Sequence, residues 1–290
     1  MPRCAANVTL LIVAAATART YVCPVNRLLL RAGAAFALAF VGVLLIALHT
    51  GRGLHYDAEL FRRASGSELA PVESVGNRAL ATIDVGSLIA GALVLGVLAL
   101  LRGRVMRALA AVALVGISVG SAELLKAVLP HLPWVLPPGR AATIPSGGAA
   151  VAVSLGLALV LAVPPLLRPT AAVVGAAYAA AVGFSLVALG WHNPSDVAAS
   201  FCLCGFWACV AGLVVGGRPR RLVVSVPALL LALAAVTGGL LVAAFLASRH
   251  PSAVAELRSS GSLVVTGALV GVLSLATFAV LAPLLEEARP

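Results

Sequence analysis

The sequence predicts an all-α, polytopic membrane bundle of about eight transmembrane helices, on three observations. Of its 290 residues, 61% belong to the hydrophobic set and 10% are charged, against roughly 25% charged in an average soluble domain. The apolar residues gather into runs long enough to cross a bilayer, whose hydrocarbon core of about 30 Å takes about 20 helical residues. These runs lack the alternating polarity that the strands of a membrane β-barrel carry.

Residues 1–27 open with Arg3, a short apolar stretch Val8–Ala16, and Ala16-Thr17-Ala18, which loosely resembles a signal-peptide cleavage site. They are read as a poorly defined leader. Helix one, Leu28–His49, runs into a polar connection, residues 50–78, long enough to fold over the helix ends or to act as a plain tether. Helix two, Ala79–Leu101, has Asp84 near its start, and helix three, Ala108–Leu129, ends with Glu123 and Lys126 on one face, where they can pair. Helix four, Ser146–Leu166, starts at Ser146, a good N-cap, and meets Pro164-Pro165 at its end.

Helix five, Ala171–Leu189, follows the Arg168-Pro169 turn. Helix six, Ser195–Val215, is expected to be capped by Ser195, and it contains Cys202, Cys204 and Cys209, small polarizable groups that pack well among apolar neighbours. Helices seven, Val223–Leu246, and eight, Leu263–Leu285, stand beyond a six-helix core spanning 28–216 and leave a short tail.

A formal charge of +10 suggests nucleic acid in a soluble protein, but here the arginines follow the helices and no nucleic-acid partner is implied. The loops after helices two, four and six carry Arg102, Arg104, Arg107, Arg168, Arg218, Arg220 and Arg221 with no acid, whereas Asp57, Glu59, Glu68, Glu73 and Glu256 fall on the other side. The positive-inside rule puts the arginine loops and both termini in the cytoplasm of a multi-pass cell-membrane protein.

An ionisable side chain near the middle of a membrane helix costs about 2.5–3.5 kcal/mol on insertion scales, so each one asks for a reason. Lys126, the only lysine, either snorkels to the interface beside Glu123 or binds an anion. Ile144-Pro145-Ser146-Gly147-Gly148 is either ordinary helix initiation or a helix start whose free amides and glycines admit a phosphate. In Gly190-Trp191-His192-Asn193-Pro194-Ser195-Asp196-Val197, Asp196 lies four residues after His192 and can take a proton from one imidazole nitrogen, leaving the other as nucleophile or base. Helix parity puts all three clusters on one membrane face.

These three clusters resemble the motifs of the type 2 phosphatidic acid phosphatase superfamily, the lipid phosphate phosphatases that share a helical core with vanadium haloperoxidases. The resemblance covers about residues 28–216, with its specific part in 126–197. It implies in-line attack on a phosphoryl group by His192, oriented by Asp196, through a phosphohistidine that water hydrolyses. Lys126 and the amides around Ser146 and Gly147 would hold the phosphate oxygens.

Three positions depart from the pattern: His131 stands where the first motif has arginine, Gly148 where the second has its acid histidine, and Leu186 where the third has arginine. His131 or Arg140 swinging inward, or a diphosphate substrate with its better leaving group, would offset the loss. No metal cofactor is implied, since no ligand cluster is visible in the sequence.

Three functional classes follow. The first is a phosphatase acting on a lipid phosphate or polyprenyl diphosphate at the extracytoplasmic face, and the second an inactive relative that binds lipid or serves as a scaffold. The third is a transporter or flippase, which should show broken helices or an inverted repeat. In each the partners are membrane lipids.

Overall fold

The computed structural model describes residues 24–53, 55, 57–59, 85–129, 143–216 and 261–285. These residues form seven α-helices: α1 Pro24–His49, α2 Val85–Leu100, α3 Val105–Val128, α4 Gly147–Ala162, α5 Arg168–Ala188, α6 Pro194–Val215 and α7 Gly261–Leu284. The expected helix at 223–246 lies outside the described residues, as does most of the expected leader, whose residues 24–27 are the first turn of α1.

Helix α4 is the centre of the bundle, touching α2, α3, α5 and α6. It is apolar all round, and 12 of its 16 residues are buried, as expected of a helix surrounded by others. Its small side chains set how close the neighbours come. A Cβ built on Gly156 would stand 2.7 Å from the Phe278 ring of α7 and 3.0 Å from the Cα of Gly175 on α5, so three helices meet where only glycine fits. On the far side α1 lies along α6, with the Phe36 ring 2.6 Å from where a Cβ of Gly205 would be.

The outward faces are as apolar as the interior. Leu38 and Ile46 of α1, Leu93 and Val94 of α2, Leu109 and Leu124 of α3, and Leu269 and Val272 of α7 are all exposed. Water would drive such faces together, whereas lipid hydrocarbon solvates them. Five of the helices are long and apolar enough to cross a bilayer.

Helix α4 is shorter than expected. It ends at Ala162 rather than near 166, because Val163 and Pro164 are extended (ψ 159° and 157°) and a short 3-10 turn, Pro165–Leu167, intervenes. Proline lacks the amide a continuing helix needs, and it pushes the preceding residue out of the helical region. Sixteen residues reach about 24 Å, less than the roughly 30 Å of hydrocarbon, and at the N-terminal end Ser146, Ala149 and Ala150 are fully buried.

At the end of the bundle opposite that N-terminus, Arg107 and Arg168 are buried (2% and 3% exposed) rather than displayed on loops. Helix α3 begins at Val105, which brings Arg107 into its first turn, where its Nη1 donates to the Leu161 carbonyl at 3.3 Å. A guanidinium there answers the free carbonyls and negative dipole at the C-terminus of α4.

Candidate functional site

The C-terminus of α3, the N-terminus of α4 and the turn between α5 and α6 meet at one end of the bundle. Ser146 is the N-cap of α4: its backbone is extended (φ −72°, ψ 119°) and its Oγ accepts from the Ala149 amide at 3.3 Å. Serine is suited to this place because its oxygen satisfies one of the four helix amides that lack an intrahelical partner.

Above this cap lie Glu123 and Lys126. Lys126 Nζ is 2.7 Å from Glu123 Oε1, with the lysine side chain 23% and the glutamate 56% exposed. Both reach over Gly147, where a Cβ would collide with Glu123 Oε1 and lie 3.1 Å from Lys126 Nζ. The lysine therefore projects over the start of α4, and Glu123 sets a carboxylate against the positive end of that helix.

On the other flank the α5–α6 turn is tied down by its own amides. Trp191 N and His192 N both donate to the Leu186 carbonyl, at 3.0 and 3.1 Å. Gly190 makes the turn possible with φ +67°, a region that side chains disfavour. His192 Nδ1 stands 3.3 Å from Asp196 Oδ2, at the long edge of a hydrogen bond, and the same oxygen accepts from Asn193 N at 3.0 Å. Asp196 is buried (2% exposed) and holds the imidazole from below, while the His192 side chain keeps 19% exposure.

The two flanks are joined by backbone and by a residue the sequence reading missed. Ser146 N donates to the Asp196 carbonyl at 3.1 Å. The hydroxyl of Ser200, fully buried, reaches both the Ser146 carbonyl (2.8 Å) and the Asp196 carbonyl (2.9 Å), sharing one proton between them. Its spacing was the available signal, since Ser200 follows Asp196 by four residues and so lies on the same helix face.

The cap of α6 differs from expectation. Asn193, not Ser195, is the N-cap, because Pro194 takes the first helical position, where its missing amide does no harm. Ser195 is thereby freed to donate through Oγ to Asp57 Oδ2 at 2.5 Å, and Asp57 is itself buried at 4% exposure. The connection after α1 thus reaches the first turn of α6.

The departures from the family motifs fall together in space. A Cβ built on Gly148 would lie 3.4 and 3.5 Å from the two methyls of Leu186, itself 3% exposed. The glycine and the leucine that replace acid and arginine are thus packing partners. His131 and Arg140 lie outside the described residues.

Residues 104–220 match the family model of the PAP2 superfamily. This span holds α3 to α6, the four helices that carry the Lys126, Ser146 and His192 motifs, and the match supports the likeness to type 2 phosphatidic acid phosphatases drawn from those motifs. Together with the apolar helices, the match makes this part of the chain similar to the membrane phosphatases of that superfamily. No curated protein and no solved structure matches the chain.

Proposed function

We propose that this protein hydrolyses a lipid phosphate or diphosphate at the extracytoplasmic membrane face, with His192 as nucleophile. The observation that carries the reading is the His192–Asp196 pair, with Nδ1 against a buried carboxylate at 3.3 Å, tied through Ser146 to the helix start beneath Lys126. Nδ1–H donates to Asp196, so the lone pair of Nε2 is left for attack. The N–P bond forms as the bond to the leaving oxygen breaks, and that oxygen departs with the electron pair. Water then attacks the phosphohistidine and returns free phosphate and His192. Lys126 and the α4 amides hold the phosphoryl oxygens as charge builds on them.

When the terminal phosphoryl group of a lipid diphosphate is transferred, the leaving group is the lipid monophosphate, a stable anion that asks little of an acid, whereas the alkoxide left by a monophosphate needs a proton. With glycine at 148 the site lacks the family's general acid, a group generally worth about a hundred- to ten-thousand-fold in rate. We therefore assign diphosphates as the preferred substrates.

The Gly148–Leu186 contact favours a second reading, in which the same pocket binds a lipid headgroup without turning it over. Purified protein in detergent, offered lipid monophosphates and diphosphates beside His192→Ala, separates the two. Phosphate release that the variant loses, faster from diphosphates, supports the enzyme. Equal and negligible release from both proteins leaves the binding-only reading.

A further inference from the structure

An apolar cleft of about 240 Å³ lies beside the site and takes no part in the chemistry proposed above. Its walls are Val43 and Ile46 of α1, Pro194 and Ala198 of α6, and Leu269 and Leu273 of α7. Helices α1 and α7 each pack along α6 but scarcely touch one another, so the cleft is the gap between them, with α6 as its floor. All three helices are long and apolar enough to cross a bilayer, so among the described residues the gap is bounded by membrane-spanning elements. Only another apolar chain fills such a space without leaving a polar group unsatisfied or a void.

One end of the cleft is polar and points to the orientation of its occupant. Asp57 lines it, buried and accepting from Ser195 Oγ, which also lines it. Ser195 directly precedes Asp196, so the polar end of the cleft and the His192–Asp196 pair share the first turn of α6. A headgroup at this polar end therefore lies on the side of the first turn of α6 that carries Asp196, next to His192. The volume falls below the roughly 300–1,000 Å³ of pockets that enclose whole drug-sized ligands and suits one narrow chain.

We infer that the cleft between α1, α6 and α7 binds one hydrocarbon chain of a phosphate-bearing lipid and so holds the headgroup beside His192. The headgroup half of this inference rests on the phosphatase reading; the chain half does not.

The test uses the full-length protein in phospholipid vesicles containing a trace of a lipid phosphate with a diazirine midway along its chain. Irradiation is followed by peptide mass spectrometry. Labelling is expected on Ala198 and Leu273 in excess of that on Val272, which is 64% exposed on the outer face of α7. Either Ala198→Trp or Leu273→Trp, filling the cleft, is expected to cut the cleft labelling by at least about tenfold while leaving Val272 labelling unchanged. Two variants guard against misfolding of one.

Labelling confined to Val272 and other lipid-facing residues, or cleft labelling that both tryptophans leave intact, overturns the inference. Labelling needs no turnover, so the two ideas fail separately. Cleft labelling without phosphate release from any substrate refutes the enzyme alone; release without cleft labelling refutes the cleft alone.

Discussion

In the proposed phosphate site the carboxylate of Glu123, paired with Lys126 and set against the start of α4 at Gly147, occupies ground that a phosphate oxygen would need. An incoming phosphate has to displace it. Exposed ion pairs are worth about 0.2–1 kcal/mol, so the obstacle is small. Glu123→Gln is expected to tighten inorganic phosphate binding by up to about fivefold, measured by calorimetric titration or as product inhibition. Weaker binding in this variant would mean that Glu123 positions Lys126 for the anion instead of competing with it.

The facing pair Gly148 and Leu186 leads to a second expectation at the same scale. A Cβ at 148 would sit in van der Waals contact with the Leu186 methyls, at 3.4 and 3.5 Å, so the imidazole of a histidine there has to find its room beside them. Gly148→His alone is therefore expected to lower the melting temperature. Combined with Leu186→Ala it should recover stability and, with an acid in reach of the leaving group, raise monophosphate turnover by roughly a hundredfold or more. Thermal unfolding and phosphate release, measured on both variants, check the two halves; a double variant no faster than wild type would place residue 148 out of reach of the leaving group.

At the scale of elements, the contact of α4, α5 and α7 through Gly156, Gly175 and Phe278 leaves no room for a side chain. Gly156→Val is expected to destabilise the bundle by about 1–3 kcal/mol or more through overpacking, seen as a lower unfolding temperature in detergent. Unchanged stability would mean that α7 can shift at little cost.

Helices themselves were largely legible in the sequence, since a bilayer demands long apolar runs and the chain supplies them. Their ends were less so. The hydropathy of Val163 and Leu166 gave no sign that α4 stops at Ala162, and Ser195 looked like a cap until Pro194 claimed the first helical position. The His192–Asp196 spacing could be read because both residues lie on one short turn. For Ser200 only the four-residue spacing from Asp196 could be read, not its bond to Ser146 on another helix, and Asp57 could not be read at all, since it bonds a residue 138 positions away. The small residues of α4 and α5 look alike in so Ala- and Gly-rich a chain, and only the fold shows that Gly156 and Gly175 are the pair that touches.

For the molecule as a whole, the geometry has two unlike ends. One gathers Lys126, the α4 N-terminus and His192; the other gathers Arg107 and Arg168. The placement of arginines predicts the first end outside the cell and the second in the cytoplasm. Cysteine introduced at Trp191, which is 59% exposed beside His192, is expected to react with a membrane-impermeant maleimide in intact cells, and one at exposed Leu101 only after lysis. The reverse pattern would put the site in the cytoplasm and change which lipid pool it meets.

If His192 takes up the phosphoryl group, the phosphohistidine can be caught by mixing the purified protein with a lipid diphosphate, quenching into alkali within the first turnover, and locating the phosphoryl group by peptide mass spectrometry. A phosphoryl group on His192 that is lost on a longer chase, and absent from Asp196→Ala or much slower to form there, is the predicted result. Phosphate released at normal rates with His192 unmodified throughout, or undiminished release by His192→Ala, would contradict it.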